Sequence, residues 1–496
     1  MSFFGDEAVA GALEHLAEAN HVTLVVGAGS SAEAGMPTWS ELIDRLLRRL
    51  GKSRGMVGDD LEGFCDWTAR SEGLLGAAAV VEANVEEAEF RRWVREELYR
   101  EMETGRLTPG PSAEACARIK GLLKDRCELV TTNYDPILLN AAKEEGALAG
   151  GSVQVAVDDK PATGTEAFVR HLHGFATPTQ TRGVIVLAEG QYHDMQDGQA
   201  WQEAFMRQRL LHSACLFAGT SLTDPNLLRY LYRSHGGPDD VAVFTRQQEA
   251  EQRRSATPAL NHQRDGTLRQ RWTRLGVRPL LADYYTESAQ FLWELASALE
   301  DEELPTPYQE RLSDWESIIS RELLARRAPQ RFVSRQDVLQ EVLADELRRV
   351  LETLADDGHE PIRGERLGAH LWAHLPSRQS LVVGIGASDR AWRDPSTLVP
   401  IPIGWETVRN WAAVQAFCSG SVTSRSTSEQ VATRWNHVVG FPVHSHGPPW
   451  GRLPVGALTL ASTYSEQRSV LGRGLGTLRE LSRTLTERAA ALLVPT

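Results

Sequence analysis

Residues 21–39 read HVTLVVGAGSSAEAGMPTW, and this stretch decides the fold. His21 to Val26 is short, apolar and β-branched, the pattern of a strand buried on both faces of a parallel sheet. It runs straight into Gly27-Ala28-Gly29-Ser30-Ser31, and Gly35 follows. From about Thr38 the period becomes helical, with Leu42, Ile43, Leu46, Leu47 and Leu50 on one face. Strand, glycine turn and helix in this order suit a dinucleotide. Gly27 and Gly29 let the backbone turn tightly and approach a pyrophosphate where a side chain would collide. Backbone N–H groups near the helix start then face negative charge. An ordinary strand-to-helix connection has the same pattern, so these residues alone leave both readings open.

The rest of the chain narrows the choice. Its 496 residues suggest two to four domains, with 42% hydrophobic and 24% charged residues, as in ordinary globular proteins. A net charge of −13 argues against a broad nucleic-acid surface. The five cysteines, Cys65, Cys116, Cys127, Cys215 and Cys418, form no C-x-x-C pair. That fits a reducing, cytoplasmic setting and leaves no zinc site built on paired cysteines. The first twenty residues read as an amphipathic helix rather than a signal peptide, and no apolar run is long enough to span a membrane.

Three later stretches place polar residues directly after apolar runs. Cys127 to Thr132 reads as a strand ending in Asn133-Tyr134-Asp135. Such residues sit at the carboxyl edge of an open α/β sheet, where ligands bind. Either Asn133 or Asp135 could instead cap the helix that follows. Ala167 to Gly174, AFVRHLHG, puts His171 and His173 on one face by period-two alternation, with Gly174 giving clearance. An imidazole near neutrality suits proton transfer there, while a metal would need a third ligand, and none is visible nearby. Ala214 to Ser221 reads as a strand ending in Gly219-Thr220-Ser221, with Asp224-Pro225-Asn226 beyond it. Small hydroxyl residues there bind phosphate or ribose, and Asp224 also fits a plain N-cap. Gly183 to Leu187 is expected to be another buried strand, with Tyr192 as scaffold beside the pocket. Strands are also expected at residues 240–245 and 277–284. Residues 40–106 form a helical module in which Trp67 and Trp93 read as core.

Taken in order, GAGSS with Gly35-Met36-Pro37, TTNYD, HLHG and GTS resemble the motifs of the sirtuin-like family over about the first 290 residues. The extra residues between GAGSS and Pro37 are similar to those of bacterial sirtuin-like NADases in anti-phage defence. The resemblance implies an α/β, Rossmann-like parallel sheet that binds NAD+. Gly27, Ala28, Gly29, Ser30, Ser31, Gly35 and Pro37 would form its cofactor loop. Asn133 would hold the nicotinamide-side ribose and Asp135 the carboxamide region. His173, with His171 as the alternative, would orient and deprotonate a ribose hydroxyl or attacking group. Gly219, Thr220, Ser221 and Asp224 would lie against the adenosine half. Deacylase sirtuins generally carry two Cys-x-x-Cys pairs between the His-Gly motif and the late strands. Here only Cys215 falls in that interval. The implied activity is therefore an NAD+ glycohydrolase, with NAD+ as substrate, nicotinamide and ADP-ribose as products, and no metal. A protein deacylase, an ADP-ribosyl transferase and a non-catalytic sensor are the rivals.

The organisation expected is a sirtuin-like domain at 1–300, a linker and helical connector at 301–335, and a second domain at 336–496. DEELPTP, residues 301–307, is acidic and proline-bearing, as linkers are. The second domain reads as α+β. PIPIGWETVRNWAAVQAF, WNHVVGFPVHSHG and PVGALTLAS resemble segments of a GAF domain, although Glu406 and Thr407 interrupt the usual glycine run. Leucine stripes at Leu339–Leu354 and Leu471–Leu492 suggest a homo-oligomeric seam or a core. A small-molecule or protein trigger near Trp405, Trp411 and Trp435 would regulate an effector that depletes NAD+.

Overall fold

The computed structural model describes residues 3–100, 107–148, 152–158, 166–195, 200–234, 240–245, 258–300, 307–325, 328–378, 380–427, 434–445 and 451–493. Residues 301–306 of the expected linker lie outside them, as does the side chain of Trp405. The chain divides into two compact units. One comprises Ala10–Phe244 with Thr257–Leu281, the other Met1–Val9, Thr245–Ala256 and Ala282–Thr496.

In the first unit the strands are β1 (Val22–Val26), β2 (Cys127–Thr131), β3 (Ser152–Ala156), β4 (Glu166–His171), β5 (Phe175–Ala176), β6 (Thr181–Arg182), β7 (Ala214–Ala218), β8 (Asp240–Thr245) and β9 (Val277–Ala282). Seven of them form one sheet in the order β3-β4-β2-β1-β7-β8-β9, while β5 and β6 make a small antiparallel pair. β1 lies between two parallel partners, with Val22 opposite both Cys127 and Ala214, and all five of its residues are buried. Its continuous apolar run follows from that central place. From β1 the sheet grows in both directions. The carboxyl ends of β1, β2 and β7 therefore meet where the strand order reverses, the usual ligand crevice of such sheets.

Two expectations change here. Gly183 to Leu187 is not a strand: after β6 the chain runs irregularly, with Ile185, Val186 and Leu187 buried. Its backbone bonds with turns and side chains rather than a ladder. Val186 N–H donates to His173 O (3.1 Å), Tyr134 hydroxyl to Val186 O (2.7 Å), and Leu187 N–H to Gln191 Oε1 (2.7 Å). Trp67 is not core but 64% exposed, because the inward stripe of helix Gly58–Glu82 runs through Leu61, Cys65 and Thr68. Trp93 is buried as expected. Pro329 opens helix Pro329–Asp356 at its first turn, where its missing N–H costs nothing.

The second unit holds β10 (Leu367–Leu375), β11 (Ser380–Ala387), β12 (Pro400–Pro402), β13 (Thr423–Ser426), β14 (His437–His444) and β15 (Pro454–Ser462). They form an antiparallel sheet in the order β12-β11-β10-β15-β14-β13. Helices Pro329–Asp356 and Leu475–Leu493 cover one face, and helix Ala412–Ser419 covers the other. Both leucine stripes are spent inside this unit. Leu339, Leu343, Val350 and Leu354 are at most 2% exposed, and Leu471, Leu478 and Leu485 join the same core. The seam between copies that these stripes suggested is thus occupied by the unit's own sheet. Helix Tyr285–Glu300 also belongs here rather than with the first 300 residues. Gln290 Nε2 donates to Arg452 O (2.7 Å), and Glu294 forms a buried ion pair with Arg311.

Candidate functional site

The glycines of the first turn pack backbone on backbone. Gly27 N–H donates to Ala218 O (3.0 Å) and Gly29 N–H to Gly219 O (2.8 Å). A Cβ on Gly27 would stand 2.6 Å from Gly219 O, and one on Gly29 would stand 3.0 Å from Gly219 Cα. Gly219 itself has φ +63°, and its Cβ would meet Ser30 N at 2.8 Å. The space a side chain would need at Gly27 and Gly29 is filled by the loop after β7, and the two backbone bonds tie the ends of β1 and β7 together. Ala28 begins the short helix Ala28–Ala32, and Ser30 Oγ donates to Gly27 O (2.8 Å). Gly35, with φ +86°, turns the chain toward buried Pro37 and the Thr38–Glu41 capping box of helix Trp39–Ser53.

Asn133 sits at the centre of this edge. β2 delivers it, and Thr131 Oγ1 fixes the turn by donating to Val26 O (2.8 Å) and accepting from Asn133 N–H (3.0 Å). The Asn133 amide then donates to Gly27 O (3.0 Å) and Ser31 Oγ (2.7 Å). Ser31 in turn bonds the Asp135 carboxylate, which also accepts from Ile137 N–H (3.0 Å). So Asp135, not Asn133, caps the following helix. Burial pushes the Asp135 carboxyl above its ordinary range.

The two histidines part company. β4 ends at His171, so alternation does not carry through to His173. His171 is fully buried, and its Nδ1 lies 2.8 Å from Asn133 O. A carbonyl only accepts, so Nδ1 carries the proton and Nε2 keeps a lone pair; this buried Nε2 has no hydrogen-bond partner. Burial lowers this imidazole to about 4, so it is neutral at pH 7. His173 instead faces Asp224, Nε2 to Oδ2 being 3.5 Å, with the Tyr192 ring edge-on at 5.4 Å. Burial lowers its pKa while Asp224 opposes the shift. Tyr192 hydroxyl donates to the same Asp224 oxygen (2.8 Å). Tyr192 thus touches the site that its sequence reading left it beside. No spacing rule links residues 192 and 224, so only the fold reveals the pair.

Thr220 and Ser221 lie in the loop after β7. Thr220 Oγ1 accepts from Leu222 N–H (3.1 Å), and exposed Ser221 bonds Thr223 (2.7 Å). The structure thus brings Gly27, Gly29, Ser30, Ser31, Asn133, Asp135, His171 and Gly219 into one bonded cluster, with His173 and Asp224 paired beside it. No such bond links Gly35 or Pro37 to it. The unpartnered Nε2 of His171 belongs to a fully buried imidazole at this strand edge. Among the described residues no three His, Cys, Asp or Glu side chains gather as a metal site, and no helix is long and apolar enough to cross a membrane.

A family profile described as a SIR2-like domain matches residues 128–265, the span that carries Asn133, Asp135, both histidines, Tyr192 and Asp224. No curated protein matches the chain. Among solved structures, it is similar to a mutant Sir2 homologue in complex with ADP ribose (15% identity, 58% of this chain and 95% of that one, TM-score 0.29). It is also similar to a Sir2 homologue–NAD complex (14% identity, 59% and 93%, TM-score 0.31). What the chain shares with that family is a SIR2-like stretch within an α/β unit built on a seven-stranded sheet.

Proposed function

We propose that the first unit hydrolyses NAD+ to nicotinamide and ADP-ribose. The observation that carries this reading is the convergence of Asn133, His171 and the His173–Asp224 pair at the strand-order reversal, beside the glycine turn. Asn133 and the β1 turn hold the nicotinamide-side ribose. The C1′–N bond breaks with its electron pair leaving on nicotinamide, and positive charge develops on the ribose. Fixed dipoles around the ribose lower that barrier, because they need no reorganisation as charge appears. Water attacks C1′ and passes its proton to His173. The second unit, which we read as GAF-like, restrains or licenses this activity in an antiviral effector that depletes NAD+.

The test is to incubate the full chain with NAD+, with and without an acylated peptide, and to quantify free nicotinamide. The reading requires release without the peptide. Release only with the peptide would make the protein a deacylase, and binding without release would make it a sensor.

A further inference from the structure

The geometry points to Asp224 and Tyr192 as a positioning pair for His173, rather than as parts of a nucleotide subsite and a scaffold. The inference deepens the proposed function and rests on it. Three separate elements converge on one carboxylate. The turn after β4 brings His173, helix Glu189–Asp194 brings Tyr192, and the loop after β7 brings Asp224 at the start of helix Pro225–Ser234. Asp224 Oδ1 accepts from Leu227 N–H (2.9 Å) and so caps that helix. Its Oδ2 accepts the Tyr192 hydroxyl at 2.8 Å and faces His173 Nε2 at 3.5 Å. Both oxygens are engaged within the protein, so the carboxylate has a task before any nucleotide arrives.

That task follows from the chemistry of imidazole. A carboxylate facing Nε2 favours the tautomer with its proton there, which leaves the Nδ1 lone pair as the base. The edge-on Tyr192 ring, inclined at 74°, limits ring rotation. The Tyr192 hydroxyl also draws off part of the negative charge that would otherwise hold a proton on His173. Around the carboxylate stand Tyr134, its hydroxyl donating to Val186 O, and Tyr230, with Arg229 over its ring. Arg229 pairs with Glu203 at 3.6 Å. His171, on the same strand end, turns to Asn133 O instead.

Asp224→Asn keeps an oxygen for Leu227 and puts an amide N–H where Oδ2 was, facing both the Tyr192 hydroxyl and Nε2. Tyr192→Phe keeps the ring and removes the hydroxyl. The account expects opposite movements of the acid limb in the rate–pH profile of the full chain. Asp224→Asn removes the charge that supports protonated His173, so its limb moves to lower pH. It also releases the tautomer, so kcat falls about 10²-fold with KM unchanged. Tyr192→Phe frees the carboxylate for His173, so its limb moves to higher pH, with a loss of less than about tenfold. Limbs that stay in place in both variants overturn the inference. So does a raised KM with unchanged kcat in Asp224→Asn, which would put Asp224 on the nucleotide. NMR titration of the His173 ring in the same proteins should show the same opposite shifts. It needs no turnover, so a chain that never cleaves NAD+ would sink the proposed function while this titration still decides the positioning role.

Discussion

Both sheets bury histidines, and the contrast between them separates a site from a core. In the parallel sheet, His171 and His173 lie at a strand end and reach groups from other segments: the Asn133 carbonyl, Asp224 and Tyr192. In the antiparallel sheet, His370 and His374 lie within β10. His374 packs on Phe417 at 4.5 Å, and His370 lies edge-on to Trp435 at 5.6 Å. Burial lowers His171, His370 and His374 alike to about 4. A lowered pKa therefore does not distinguish chemistry from packing. Nor does a facing carboxylate, since His370 Nε2 lies 3.8 Å from Asp389; the first pair differs in standing at the carboxyl edge of a parallel sheet, beside the point where the strand order reverses.

The largest effect that could break this contrast is catalytic. His173→Ala should cut nicotinamide release by about 10²-fold or more, while His374→Ala should leave release intact and lower the melting temperature by several degrees. Equal activity losses in the two folded variants would erase the distinction. A smaller effect concerns the turns. Gly219→Ala forces a Cβ to within 2.8 Å of Ser30 N at positive φ and should cost about 1–3 kcal/mol in denaturant unfolding. Gly358→Ala, also at positive φ but in open space, should cost about 1 kcal/mol.

Acidification sharpens the comparison further. The three histidines near 4 have unfolded values of about 6.5, so the unfolded chain binds more protons between those limits. Their contribution is complete above about 6.5 and is lost as pH falls toward 4, on the order of 1–3 kcal/mol each. Asp135 and Glu294, whose carboxyls burial raises, act in the opposite sense. Urea midpoints measured from pH 7 to pH 5 should fall, and replacing His370 and His374 by Gln should flatten the slope. The smallest expected effect is none: exhaustive chelation should leave nicotinamide release unchanged, and a loss restored by zinc would contradict this.

Much of the first sheet was legible because its central strands are continuous apolar runs that end in small or polar residues. The buried strands β1, β2 and β7 announce themselves in this way, and so do Asn133 and the glycines at their ends. The irregular run 183–187 was misleading because an apolar composition shows burial, not whether the backbone finds a ladder or side-chain partners. Trp67 shows the same limit: hydrophobicity alone did not reveal which helix face it occupies. The leucine stripes were real, but periodicity does not tell a core from a seam between chains. The Tyr192–Asp224 bond was out of reach, since it joins residues on separate elements with no common period.

The most direct test of the central claim is nicotinamide release from NAD+ by the full chain, compared with Asn133→Ala. Asn133 ties β1, β2 and Ser31 together through its amide, and its carbonyl fixes the His171 tautomer. The carbonyl is backbone, so Ala keeps that bond while losing the amide. The account predicts steady release by the native chain without any acyl acceptor, and a folded Asn133→Ala variant slower by about 10²-fold or more. No release by the native chain, or equal release by the variant, would contradict it.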